Sequence, residues 1–134
     1  MPAMSRQDLE FVRDVFEQFA RGGDIDWELT AEDVVAYDHD IMDGREYHGH
    51  DGIRRWLGDW GAAWSSFTME PEEYIDAGDC VVVIVRMRAT GARSGIEVDR
   101  QDGLVYRLAH GRVARLDYYN SRRQALEAAG LPAA

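Results

Sequence analysis

A chain of 134 residues is the size of one domain with one hydrophobic core, so residues 1–134 are read as a single unit. Its formal net charge of −10 disfavours nucleic acid and anionic membrane surfaces, which are held by surplus Lys and Arg; small molecules and other proteins remain as partners. All 15 basic residues are arginine, which excludes Schiff-base chemistry, because a guanidinium does not lose its proton to become a nucleophilic amine.

The N-terminal segment MPAMSRQDLE has no apolar core of the kind a signal peptide carries, and no apolar run approaches the roughly 18 residues of a membrane span. A soluble, cytoplasmic protein is expected. Ser5 followed by Asp8 reads as a helix start, and Leu9, Val12, Phe16 and Phe19 then repeat at spacings of three and four up to Gly22-Gly23. Thr30 with Asp33 is a second cap signal, read as a short helix or turn leading into VVAYD. His39, Asp40, Asp43, His48 and His50 follow; their spacing matches no common zinc signature, so no metal is assigned and the stretch reads as a polar loop before a helix. That helix starts near Asp51 and carries Ile53, Trp56, Leu57, Trp60 and Trp64 on one stripe, fit either to pack on a sheet or to wall a cavity.

From Phe67 the pattern changes to strands: FTMEPEEYID, CVVVIVRMRAT, GIEVDRQDGLVYRL and RVARLDYYN. Ala77-Gly78, GARSG and His110-Gly111 separate them, the last as a tight hairpin. The acidic run EPEEYID reads as an exposed sheet edge. Cys80, the single cysteine, rules out an internal disulfide and reads as a packed strand residue. Gly103 marks a candidate bulge. Ser121 and Gln124 form a capping box for a last helix that Gly130 and Pro132 stop. Arg54-Arg55 and Arg122-Arg123 fall on solvated helix faces. Helices first and an antiparallel meander afterwards give an α+β fold with helices on one face of the sheet.

Strict alternation puts Val113, Arg115, Asp117 and Tyr119 on one face of the last strand, Val82, Ile84, Arg86 and Arg88 on one face of another, and Asp102, Leu104, Tyr106 and Leu108 on one face of the strand between. A curved sheet would bring Arg86 and Asp117 to the same side. Asp117, a lone acid in its strand, then has two readings. In one it faces a partly apolar cavity and removes a proton alpha to a carbonyl, with Tyr37, His39 or Tyr106 donating a hydrogen bond to the developing enolate. In the other, Arg86 and Asp117 are a structural ion pair. Neither needs a cofactor, and the chain has no Gly-rich phosphate loop or dinucleotide fingerprint.

The order of elements, with GDIDWELTAEDVVAYD, YHGHDGIRRWL and HGRVARLDYYNSRRQALEAAGL, resembles the nuclear transport factor 2-like superfamily. Its members include ketosteroid isomerase, limonene epoxide hydrolase and the SnoaL-like polyketide cyclases. The resemblance implies the cone-shaped, cystatin-like (ketosteroid isomerase-like) fold, a curved antiparallel sheet packed against N-terminal helices. Asp117-Tyr118 stands where cyclases and epoxide hydrolases have an acid/base aspartate followed by an aromatic, and Tyr37-Asp38-His39 where the hydrolases have Tyr-x-Asn. The hydrolase pattern Arg-x-Asp is met by Arg86-Met87-Arg88, which keeps the arginine and loses the acid unless Asp102 substitutes; Tyr106 falls near an assisting histidine of the cyclases.

On this basis Asp117, Arg86, Tyr37 and His39 are the candidate catalytic residues, and Trp56, Trp60, Arg88, Asp102, Tyr106 and Tyr119 the candidate substrate-binding ones. The leading expectation is a small, mainly apolar carbonyl ligand, isomerase- or cyclase-type proton transfer at Asp117, and a homodimer formed through the outer sheet face. A non-catalytic ligand-binding or protein-interaction module and an epoxide hydrolase are the rivals.

Overall fold

The computed structural model describes residues 6–40 and 45–132. Helix α1 spans Arg6–Gly22 and buries Val12 and Phe16, the centre of the expected stripe; Ser5 lies outside the described residues. A 3-10 turn, Trp27–Leu29, is capped by Asp26, whose side chain accepts from the Leu29 N–H. Thr30 is therefore not an N-cap: it closes the turn as its C-cap, its N–H donating to the Trp27 carbonyl, and opens strand β1, Thr30–Asp38. Strand β2, Arg45–His48, falls inside the expected polar loop. It buries only Tyr47, so it carries no alternating apolar signal, and pairing with β1 makes it a strand.

Helix α2, Gly49–Ala63, buries Ile53, Trp56 and Trp60. Four long strands follow: β3 (Trp64–Asp76), β4 (Val81–Gly91), β5 (Glu97–Ala109) and β6 (Arg112–Tyr119). Helix α3, Arg122–Ala128, starts at Ser121, whose hydroxyl accepts from the Gln124 N–H as the capping box predicts. The six strands form one sheet in the order β2-β1-β6-β5-β4-β3, antiparallel throughout except for the parallel pair β1/β6. The meander is as expected, β3 with its acidic run is an edge strand, and His110 and Gly111 both take positive φ in the hairpin joining β5 to β6. Among the described residues no helix is long and apolar enough to cross a membrane.

The sheet has two differently covered faces. On the inner one, Val81, Val83, Val85, Met87, Leu104, Tyr106 and Tyr118 join α1 and α2 in the main core. On the outer one, Val82, Ile84 and Val105 pack against Ala125 and Leu126 of α3. Gly103 faces α3: a Cβ there would lie 2.4 Å from the Ala125 Cβ, so glycine is what lets the helix approach.

The irregularity expected at Gly103 lies elsewhere and changes the site. Pairing of β5 with β6 shifts where Arg107 meets Arg115 and Leu108 meets Val113, so β6 advances two residues while β5 advances one. This is a β-bulge, and it reverses the inward and outward alternation of β6. Val113 and Leu116 both line the interior, Tyr118 follows them inward, and Asp117 points out beside Val105.

Candidate functional site

Between α1, α2 and the inner sheet face lies a cavity of about 80 Å³. Trp56 and Trp60 of α2 wall one side; Leu104, Tyr106, Leu116 and Tyr118 supply the sheet side. No Asp, Glu, Arg or His is among its lining residues. The polar atoms of the lining side chains are mostly turned away. Both indole N–H groups donate to one oxygen of Asp38, Trp56 at 2.7 Å and Trp60 at 2.9 Å. The Tyr118 hydroxyl donates in a short bond to Asp102, and the Thr30 hydroxyl donates to the Asp26 carbonyl at 2.8 Å. Tyr106 is 5% exposed, and its hydroxyl makes no hydrogen bond within the described residues.

Behind the wall is a buried polar layer. Asp38 and Asp102 are both 0% exposed. Arg100 donates through Nε to Asp102 at 2.7 Å and through Nη2 to Asp40 at 2.6 Å, and Asp40 also accepts from Asn120 at 2.9 Å. Burial pushes the Asp102 carboxyl above the ordinary carboxylate range, opposed by Arg100 and the Tyr118 hydroxyl. Burial likewise raises the Tyr118 and Tyr106 phenols, so both stay protonated, and Tyr118 donates to Asp102.

Of the residues singled out in the sequence, Trp56, Trp60 and Tyr106 line the cavity, and Asp102 stands directly behind Tyr118. The other six do not reach it. Asp117 is buried, at 3% exposed, but on the outer face, because the bulge inverts the expected alternation. There it accepts from Arg115 at 2.9 and 3.1 Å and from the His39 ring at 3.0 Å, with Arg107 at 3.5 Å. Burial works against its ionisation, but the Arg115 and His39 contacts outweigh burial and hold it below the usual carboxylate range. The His39 ring stacks on Tyr119 and meets Tyr37 at a tilt, with ring centroids 4.2 and 4.3 Å away, so these three share the outer cluster.

Arg86 and Arg88 share the outer face of β4 with Val82 and Ile84, but each pairs with acids of the neighbouring strands β3 and β5. Arg86 pairs with Glu72 at 3.6 Å and Asp99 at 3.7 Å, and Arg88 with Asp99 at 3.5 Å and Glu70 at 3.7 Å. The expected Arg86–Asp117 pair is thus replaced by Arg115–Asp117. The polar stretch from His39 to His50 disperses: His48 meets Glu46, His50 donates to the Thr30 carbonyl, and Asp40 joins Arg100. Asp43 lies outside the described residues.

Asp38, Asp40, Arg100 and Tyr118 were not among the candidate site residues. Two signals point to Arg100 and Asp38. Arg100-Gln101-Asp102 is the Arg-x-Asp pattern sought one strand earlier at Arg86-Met87-Arg88, and Asp38 is the middle residue of Tyr37-Asp38-His39.

The model of the SnoaL-like domain family matches residues 3–116. The chain belongs to the SnoaL-like domain family. Solved structures similar to this SnoaL-like domain share its fold. One is a nuclear transport factor 2-like protein of unknown function from Burkholderia pseudomallei, at 23% identity and TM-score 0.73, over 92% of this chain and 97% of that one. Another is a ketosteroid isomerase-like protein from Catenulispora acidiphila, solved with trimethylamine, at 18% identity and TM-score 0.68, over 90% and 95%. A third, a candidate SnoaL-like polyketide cyclase from Jannaschia, aligns at 21% identity and TM-score 0.70, over 87% and 88%. No curated protein matches the chain. The family match ends before Asp117 and Tyr118, so it bears on the SnoaL-like cone and not on its last acid.

Proposed function

We propose that this SnoaL-like domain binds a small, mainly apolar compound inside the cone. The observation that carries this reading is the cavity itself: it is walled by aromatic and aliphatic side chains, and its indole N–H groups are held back by Asp38. Proton transfer at Asp117, the chemistry first expected, loses its support because that carboxylate faces away from the cavity and is tied to Arg115 and His39. The lining supplies no free base in its place.

The test is titration with small cyclic hydrocarbons and ketones, followed by quenching of Trp56 and Trp60 fluorescence and by calorimetry. Wild type is expected to bind in the micromolar to millimolar range, and Leu57→Trp, which fills the cavity, to lose binding while unfolding at a similar temperature. Equal binding by both proteins, or none by wild type, overturns the reading.

One observation favours a second reading, hydrolysis of an epoxide. Arg100 ties together two carboxyl groups, Asp40 and Asp102, the paired-acid arrangement that the resemblance implies for the epoxide hydrolases. Asp102 would act on the cavity through Tyr118, which hydrogen-bonds it and lines the wall. Diol formation from cyclohexene oxide that Asp102→Asn abolishes supports it; no diol from wild type disposes of it. A homodimer through the outer sheet face remains an expectation of the resemblance, checked by sedimentation equilibrium.

A further inference from the structure

Five residues that line the cavity carry a side-chain N–H or O–H: Thr30, Trp56, Trp60, Tyr106 and Tyr118. Four of these donors are committed away from the cavity, to Asp26, Asp38 and Asp102. The fifth, Tyr106, has no partner among the described residues. An unpaired phenol in an apolar setting is costly, and native proteins rarely keep one without a role. Its neighbours on the inner face explain its isolation. Tyr106 sits opposite Val81 on β4 and Leu116 on β6, neither of which offers an acceptor.

We propose that the Tyr106 hydroxyl is the recognition group of the cone and donates to the oxygen of a neutral carbonyl compound, a ketone, ester or lactone, whose apolar body lies against Trp56 and Trp60. This rests on the ligand-binding reading above and names the chemistry of the ligand. An acceptor on the ligand is what the site lacks, because the hydroxyl hydrogen meets no acceptor among the described residues and the side chains opposite it, Val81 and Leu116, supply none. It must be neutral, because no cation lines the cavity to offset the desolvation of an anion.

Tyr74 provides an internal control. Its hydroxyl is also buried without a partner among the described residues, but it does not line the cavity. The experiment compares cyclopentanone with cyclopentane, two small ligands of nearly equal shape that differ in one acceptor, on wild type, Tyr106→Phe and Tyr74→Phe. Wild type is expected to prefer the ketone by roughly fivefold, the value of one neutral hydrogen bond. Tyr106→Phe should bind both ligands equally, and Tyr74→Phe should keep the preference. The carbonyl stretch of bound cyclopentanone should lie at lower frequency in wild type than in Tyr106→Phe.

A preference that survives in Tyr106→Phe, or wild type binding both ligands equally, overturns the proposal while leaving the cavity reading intact. If neither ligand binds, the cavity reading fails and this one with it.

Discussion

Asp117 and Tyr118 are adjacent in the chain and face opposite sides of the sheet, Asp117 toward Arg115 and His39 on the outer face and Tyr118 into the cavity, where its hydroxyl reaches back to Asp102. The acid with the most suggestive sequence context is therefore part of an outer ion cluster. The acid behind the cavity wall comes from β5.

The outer cluster should govern the acid limb of stability. Asp117 has a folded-state pKa below its ordinary 3.8, so it contributes stability that is fully present above about pH 4 and is lost as pH falls through the lower folded value. Thermal unfolding between pH 2 and 7 should show a steeper acid loss in wild type than in Asp117→Asn. Parallel curves would mean that the Arg115 and His39 contacts do not favour the ionised form.

Asp38 holds two tryptophans with one oxygen. Asp38→Ala leaves two buried indole N–H groups without an acceptor and should cost about 2–4 kcal/mol. Asp38→Asn keeps an oxygen in place and should cost less than half of that. Urea unfolding gives the ranking, and the fluorescence of the alanine variant should shift to the red as Trp56 and Trp60 loosen.

Gly103→Ala should destabilise by about 1–3 kcal/mol, because the added methyl meets the Ala125 Cβ and α3 must move off the sheet. The double variant Gly103→Ala/Ala125→Gly removes the clash and should recover part of the loss, less the cost of roughly 1 kcal/mol for glycine inside a helix. No recovery would place the strain in the strand itself.

Cys80 should be inert in the folded protein. It is fully buried, and burial pushes its thiol from 9.0 up to about 11, which alone lowers the thiolate fraction near pH 8 about 100-fold. Labelling by an aromatic disulfide should become fast only in denaturant; rapid labelling in buffer would show that the α3 side of the sheet opens readily.

The helices and strands were legible because their signals are local. The apolar stripe ending at Gly22-Gly23, the Ser121 cap, the His110-Gly111 turn and the four-strand meander all depend on neighbours a few residues away. The shared faces of β4 and β5 were legible for the same reason. Strand β2 was not, because Tyr47 is its only buried residue and pairing with β1 alone makes it a strand.

The amino-acid sequence by itself determined the α+β class, the order of elements and the resemblance to the SnoaL-like cone. Only the tertiary structure decided which acid serves the interior. One extra residue in β6 reverses its alternation and sends Asp117 outward, and α3 makes the second face of the sheet a buried one. The same holds for the free hydroxyl of Tyr106: Trp56 and Tyr118 find their partners in Asp38 and Asp102, which reach them across the fold, and no such acid among the described residues reaches Tyr106. Periodicity reports how often a face recurs, and pairing between strands distant in sequence decides what that face meets.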